Sequence, residues 1–132
     1  MTAAAAIQPK LRVNQASKAY STRSGELLAI DQCSLDVKAG EIISIVGPSG
    51  CGKTTLLWSM SGLHKLTSGE VLLDGKPVNG PNPEIGMVFQ DANLLPWRNL
   101  DANINFPFEI KGTKPDHAWV DDLLGRVGLG GF

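Results

Sequence analysis

The chain has 132 residues, enough for one domain with a core, since a chain of about 150 residues buries somewhat over two thirds of its unfolded surface. Twelve basic against 13 acidic residues leave a formal charge of −1, which excludes a general electrostatic attraction to nucleic acid or anionic lipid, so any phosphate-bearing ligand has to be held locally. The two cysteines, Cys33 and Cys51, are too few for a disulfide framework or a cysteine-built metal cluster and point to a reducing compartment.

In chain order, residues 1–10 read as a flexible tail. The opening Met1–Ile7 has no basic region and too short an apolar run for a signal peptide, and nowhere do about 18 consecutive apolar residues occur to span a bilayer, so a soluble chain on the cytoplasmic side is expected. Leu11–Tyr20 leans to strand, Ser21–Glu26 is a polar turn, and Leu27–Val37 leans to strand again, with Leu35 and Val37 alternating with Ser34, Asp36 and Lys38. An antiparallel hairpin follows. Tyr20 has two readings: a half-buried strand tyrosine, or an aromatic ring placed ahead of a phosphate site to stack on adenine.

Ala39-Gly40-Glu41 turns the chain into a short apolar strand, Glu41–Val46, and Thr54–Met60 reads as a helix. Between them Gly47-Pro48-Ser49-Gly50-Cys51-Gly52-Lys53-Thr54-Thr55 fits G-x-x-x-x-G-K-[ST] in the strand–loop–helix setting that gives the pattern meaning. Glycines at 47, 50 and 52 are expected to adopt angles closed to other residues, so that main-chain N–H groups point inward around phosphate oxygens at the positive end of the helix dipole. Lys53 supplies a full charge where β and γ phosphates would lie, and the Thr54 hydroxyl is a ligand for Mg²⁺. The alternative, a glycine-rich turn with an incidental lysine, lacks a reason for the flanking elements.

Ser61-Gly62-Leu63 ends the helix, and Ser68–Leu73 is a further strand closed by Asp74-Gly75. Val71-Leu72-Leu73-Asp74 has the shape of an acidic strand that positions Mg²⁺, but Asp-Gly is a hairpin signal and no acidic partner follows, so Asp74 is assigned to a turn. Asn79–Pro83 is a loop and Glu84–Phe89 a short strand ending at Gln90. Asp91–Leu100 is apolar but broken by Pro96; Leu94, Leu95 and Trp97 form either an interaction surface or a loop folded onto its own core. Pro107 and Lys111–Pro115 are breakers, and Asp116–Val127 is an amphipathic helix with Trp119, Val120, Leu123, Leu124 and Val127 at spacings of three and four. His64 and His117 have no partners at ligand spacing and are expected in solvent.

With these segments in place the chain resembles the N-terminal half of the nucleotide-binding subunit of an ATP-binding-cassette (ABC) importer. Residues 47–55 are similar to that family's Walker A segment, Met87-Val88-Phe89-Gln90 to its Q-loop, and Ala16-Ser17-Lys18-Ala19-Tyr20 to the segment that carries its adenine-stacking tyrosine. Leu94-Leu95-Pro96-Trp97 with Asn103 resembles the nitrate, sulfonate and taurine branch. The resemblance implies an α/β P-loop NTPase fold, incomplete here: an N-terminal antiparallel β-subdomain with Walker A to Q-loop over 11–90, then a permease-facing segment and the start of a helical subdomain over 91–132. It implies ATP and Mg²⁺, with Lys53 on the β and γ phosphates, Thr54 and Gln90 on Mg²⁺, Thr55 and the main chain of Ser49 to Gly52 on phosphates, and Tyr20 on adenine. Gln90 to about residue 108 would face a membrane permease, and a second ATPase subunit would complete a dimer at the cytoplasmic membrane face. The signature segment, Walker B and switch histidine fall outside the sequence, so the chain by itself is expected not to hydrolyse ATP and to leave strand edges unpaired. A truncated, non-catalytic fragment and a small-molecule kinase are the competing readings.

Overall fold

A computed structural model describes residues 8–131; most of the tail expected over 1–10 lies outside it. The chain forms two compact units, Met1–Met87 and Val88–Phe132, so the division falls three residues before the boundary expected at 90.

The first unit is built on a hairpin of β1 (Leu11–Thr22) and β2 (Gly25–Val37), joined at Arg23-Ser24, with Arg12 opposite Asp36 and Tyr20 opposite Leu27. Both strands are interrupted by bulges, where Gln15 and Gln32 each take a φ of +44°. The amides freed by the bulges are answered across the ladder, Gln15 N–H donating to Ser34 Oγ at 3.0 Å and Gln32 N–H to Ser17 Oγ at 2.9 Å. On the other side of β1 runs β3 (Ser68–Leu73), which turns at Asp74-Gly75 into the two-residue β4 (Lys76–Pro77), giving an antiparallel sheet in the order β2-β1-β3-β4. Asp74 and Gly75 have φ of +49° and +75°, the two positive angles of a type I′ hairpin, so Asp74 is a turn residue as the Asp-Gly pair implied.

Helix α1 (Lys53–Met60) packs on β2. Val13, Ala16, Ile30, Leu56 and Val71 make the buried cluster, so the core is the seam between the sheet and this one helix. Two expected strands do not form. Glu41–Val46 and Glu84–Phe89 pair with no strand among the described residues, and Ile42, Val46 and Val88 are 93%, 91% and 99% exposed. Apolar runs of this kind become strands only when a neighbour supplies the ladder hydrogen bonds, and only Ile45 of the first run reaches the core.

The second unit contains α2 (Leu100–Lys111) and α3 (His117–Arg126). Helix α2 departs from the sequence reading, in which Pro107 counted as a breaker. Pro107 lies inside it, and the ends compensate: Asn99 Oδ1 accepts the Ala102 amide at 2.8 Å, and Gly112 closes the helix at φ +64°. Helix α3 matches its expected span, begins with Asp116 Oδ1 accepting the Trp119 amide at 3.1 Å, and ends in a Schellman turn with Leu129 N–H on Leu124 O at 2.8 Å. Of its apolar stripe only Val120 is buried.

Candidate functional site

The loop Gly47–Gly52 curls ahead of α1. Cys51 N–H approaches Pro48 O at 3.4 Å, and Leu56 N–H donates to Gly52 O at 2.8 Å, the first bond of the helix. Gly50 and Gly52 carry φ of +81° and +96°, in the left-handed region expected of them. Gly47 does not. A Cβ there would stand 2.8 Å from Cys51 Sγ, so it would turn the exposed thiol aside. Gly52 meets both conditions, since its Cβ would also run into the carbonyl oxygen of Ala29 on β2. Contact between loop and strand therefore exists only because residue 52 has no side chain.

Gly52 is also the N-cap of α1 and brings no capping side chain, so the first amides of the helix, from Lys53 to Thr55, have no intrahelical acceptor. Their donors, the helix dipole and the Lys53 ammonium all lie at one point, which is the electrostatic requirement for holding an anion. Lys53 Nζ bends back to donate to Gly47 O at 2.8 Å and Pro48 O at 2.6 Å and lies 3.6 Å from Cys51 Sγ. Loop carbonyls thus hold the ammonium at the loop. Pro48, Ser49 and Thr54 are exposed and Thr55 is half-buried. Behind the loop a cavity of 260 Å³ is lined by Ala29, Ile30, Cys33, Ile45 and Val46.

Tyr20 sits near the end of β1, half-buried, with Lys18 Nζ 4.9 Å from its ring centroid. Its hydroxyl is 2.7 Å from His64 Nδ1. His64 is therefore not the solvated residue expected; it is half-buried, and its ring centroid is 4.8 Å from that of Trp58 on α1. Sequence reasoning missed it because 44 residues separate the partners and no short-range pattern marks the pair. Nine residues of the expected site, 47–55, thus form one loop and helix start, with Tyr20 in the same unit.

Gln90, exposed, belongs to the second unit. Here Leu94 and Trp97 are 58% and 75% exposed, while Leu95 is half-buried. Asn103 fixes its shape. Its side chain accepts the Leu95 amide at 2.8 Å and donates to the carbonyls of Leu95, Arg98 and Asn99 at 3.2, 3.0 and 2.9 Å. Arg98 in turn reaches both carboxylate oxygens of Glu109 at 2.8–2.9 Å and lies over Phe106, leaving Trp97 outward. Asn103→Ala is expected to loosen this turn by about 1–3 kcal/mol, the cost of stranding its partners. Amide exchange should accelerate at Leu95 and Arg98 while α3 is unchanged.

The sequence pattern of the family described as ABC transporter matches residues 30–132, most of the chain. The chain belongs to the ABC transporter family. Among relatives of this ABC transporter chain, a taurine import ATP-binding protein of Burkholderia pseudomallei is 44% identical over 125 residues, 93% of this chain and 48% of the relative. One of the same description from Roseobacter denitrificans is 45% identical, covering 92% and 47%. An uncharacterized ABC transporter ATP-binding protein of Methanocaldococcus jannaschii is 41% identical, covering 93% and 47%. The chain spans about half the length of the curated relatives it matches. A solved dimeric ATP-binding cassette in a post-hydrolysis state bound to ADP and Pi superposes with a TM-score of 0.71 at 31% identity, over 82% of this chain and 51% of that one. The fold is that of the ABC ATPase cassettes, represented by its antiparallel sheet, loop and helices. No helix among the described residues is long and apolar enough to cross a membrane.

Proposed function

We propose that this chain binds Mg-ATP through Gly47–Thr55, as part of an ATP-binding subunit whose complete form couples ATP hydrolysis to import of a small anion such as nitrate, a sulfonate or taurine. The observation that carries the reading is the meeting, at one loop, of an uncapped helix N-terminus, the Lys53 ammonium and a glycine, Gly52, whose place against β2 leaves no room for a side chain. These residues fit a polyphosphate and its magnesium ion. Lys53 exchanges its loop carbonyls for β and γ phosphate oxygens; Thr55 and the amides of Ser49 to Gly52 hold the remaining oxygens; Thr54 and Gln90 are the Mg²⁺ ligands; Tyr20 takes the adenine. When bound, Mg²⁺ offsets negative charge on the transferring phosphoryl group. The solute follows from the naming of the taurine import relatives and from Leu94-Leu95-Pro96-Trp97.

The same reading divides the chain into a nucleotide-binding part, 11–90, and a permease-facing part, 91–132, with contact made near 90–108 through the outward Trp97. It gives the complete protein a second ATPase subunit as partner and a peripheral place on the cytoplasmic membrane face, with no nucleic acid partner. The 132 residues hold the nucleotide.

Calorimetric titration of the chain with Mg-ATP tests this, with circular dichroism verifying the fold. Wild type should saturate, and Lys53→Ala should bind about 10–100-fold more weakly, as expected for a lost charge-assisted hydrogen bond. A folded wild type that binds nothing, or Lys53→Ala binding equally well, would overturn it.

A further inference from the structure

We propose that His64 is a positioning residue for the nucleobase, holding the Tyr20 ring in place from the far end of the same helix that opens at the phosphate loop. The inference rests on the reading of Tyr20 as the adenine platform and adds a residue that this reading does not contain.

A tyrosine near the end of a strand has two free torsions, and a base that stacks on it gains only as much as the ring stays put. Here three contacts remove that freedom. The phenol is bonded to His64 Nδ1 at 2.7 Å, the two rings meet edge to face at 6.0 Å and 75°, and Lys18 Nζ stands over the tyrosine ring, 4.9 Å from its centroid. His64 is itself fixed. Its backbone amide donates to Trp58 O at 3.1 Å as α1 ends at Ser61-Gly62, and its ring lies at 4.8 Å from that of Trp58, tilted by 58°. The chain of contacts runs from Lys53 along α1 to Trp58, then to His64 and across to Tyr20, so one short helix sets both the phosphate loop and the base platform. The phenol–imidazole bond can form with either group as donor, so the tie does not depend on one tautomer.

The test separates base from phosphate. Mg-ATP and Mg-tripolyphosphate, which has no base, are titrated into the 132-residue chain and its variants. His64→Ala and Tyr20→Phe should each lower ATP affinity about three- to tenfold, in keeping with the strength of an oriented aromatic contact. Tripolyphosphate affinity should not change. The double variant should be no weaker than either single one, since both remove the same bond, and His64→Asn, whose amide reaches the place of Nδ1, should recover most of the loss. ATP affinity unchanged in His64→Ala, additive losses in the double variant, or tripolyphosphate falling in step with ATP would each overturn the proposal. Should His64→Ala lose its fold, Tyr20→Phe, which removes a single oxygen, carries the same comparison. A wild type that binds neither ligand would overturn the nucleotide reading itself, and Tyr20→Ala binding ATP normally would overturn adenine stacking.

Discussion

Gly52→Ala should lower Mg-ATP affinity at least as far as Lys53→Ala does, and unlike it should also lower the stability of the chain, by about 2–4 kcal/mol. Two costs add. An alanine held at φ +96° is strained by about 1–2 kcal/mol, and its Cβ would enter the space of the Ala29 carbonyl oxygen, a main-chain atom of β2. A main-chain clash is not relieved by a side-chain rotation, so backbone on one side must shift; as the start of α1 moves away from β2, the loop amides and the Lys53 ammonium lose their common focus. Gly50→Ala separates the terms. Residue 50 has φ +81° but nothing within 4 Å of its added Cβ, so only the strain remains there. Urea denaturation and calorimetry on the two variants would measure the difference; equal effects would show that the contact between residue 52 and β2 is not what seats the loop.

How far the sequence reached depends on where each interaction's partner lies along the chain. The hairpin β1–β2, the Asp74-Gly75 turn and helix α3 were all readable, because alternation, a positive-φ pair and a three-four spacing are written within a few residues. The loop Gly47–Gly52 and the helix it opens were readable for the same reason. Glu41–Val46 and Glu84–Phe89 were not, since an apolar run states a preference for a sheet and not the presence of a neighbour, and Val88 at 99% exposure has none among the described residues. Helix α2 was hidden by Pro107, whose cost was outweighed by caps at Asn99 and Gly112 that were themselves visible in the sequence. Gly47, expected to use a positive φ, does not, and a Cβ there would meet only the Cys51 side chain at close range. His64 was out of reach, because only the folded chain brings it to Tyr20.

Leu56→Ala should destabilise the first unit by about 2–4 kcal/mol with little change in the urea m-value, the cost of removing a buried leucine where the surroundings cannot close in. Leu56 is 8% exposed and is the one member of the buried cluster contributed by α1, facing Val13, Ala16, Ile30 and Val71 on the sheet. An eight-residue helix has no stability of its own in water, where isolated helices shorter than about 12 residues are marginal. It is helical because Leu56 is buried. Since the Leu56 amide also makes the first helical bond back to Gly52, losing that anchor frays the helix at the end that carries the loop. Nucleotide affinity should therefore fall in parallel with stability. Leu57→Ala is the comparison, since its neighbour is 45% exposed and truncation there should cost within about 0.5 kcal/mol. If the two variants unfold at the same urea concentration, α1 is not held by the face described; if Leu56→Ala alone is destabilised and nucleotide restores its midpoint, packing and phosphate binding are linked through this helix.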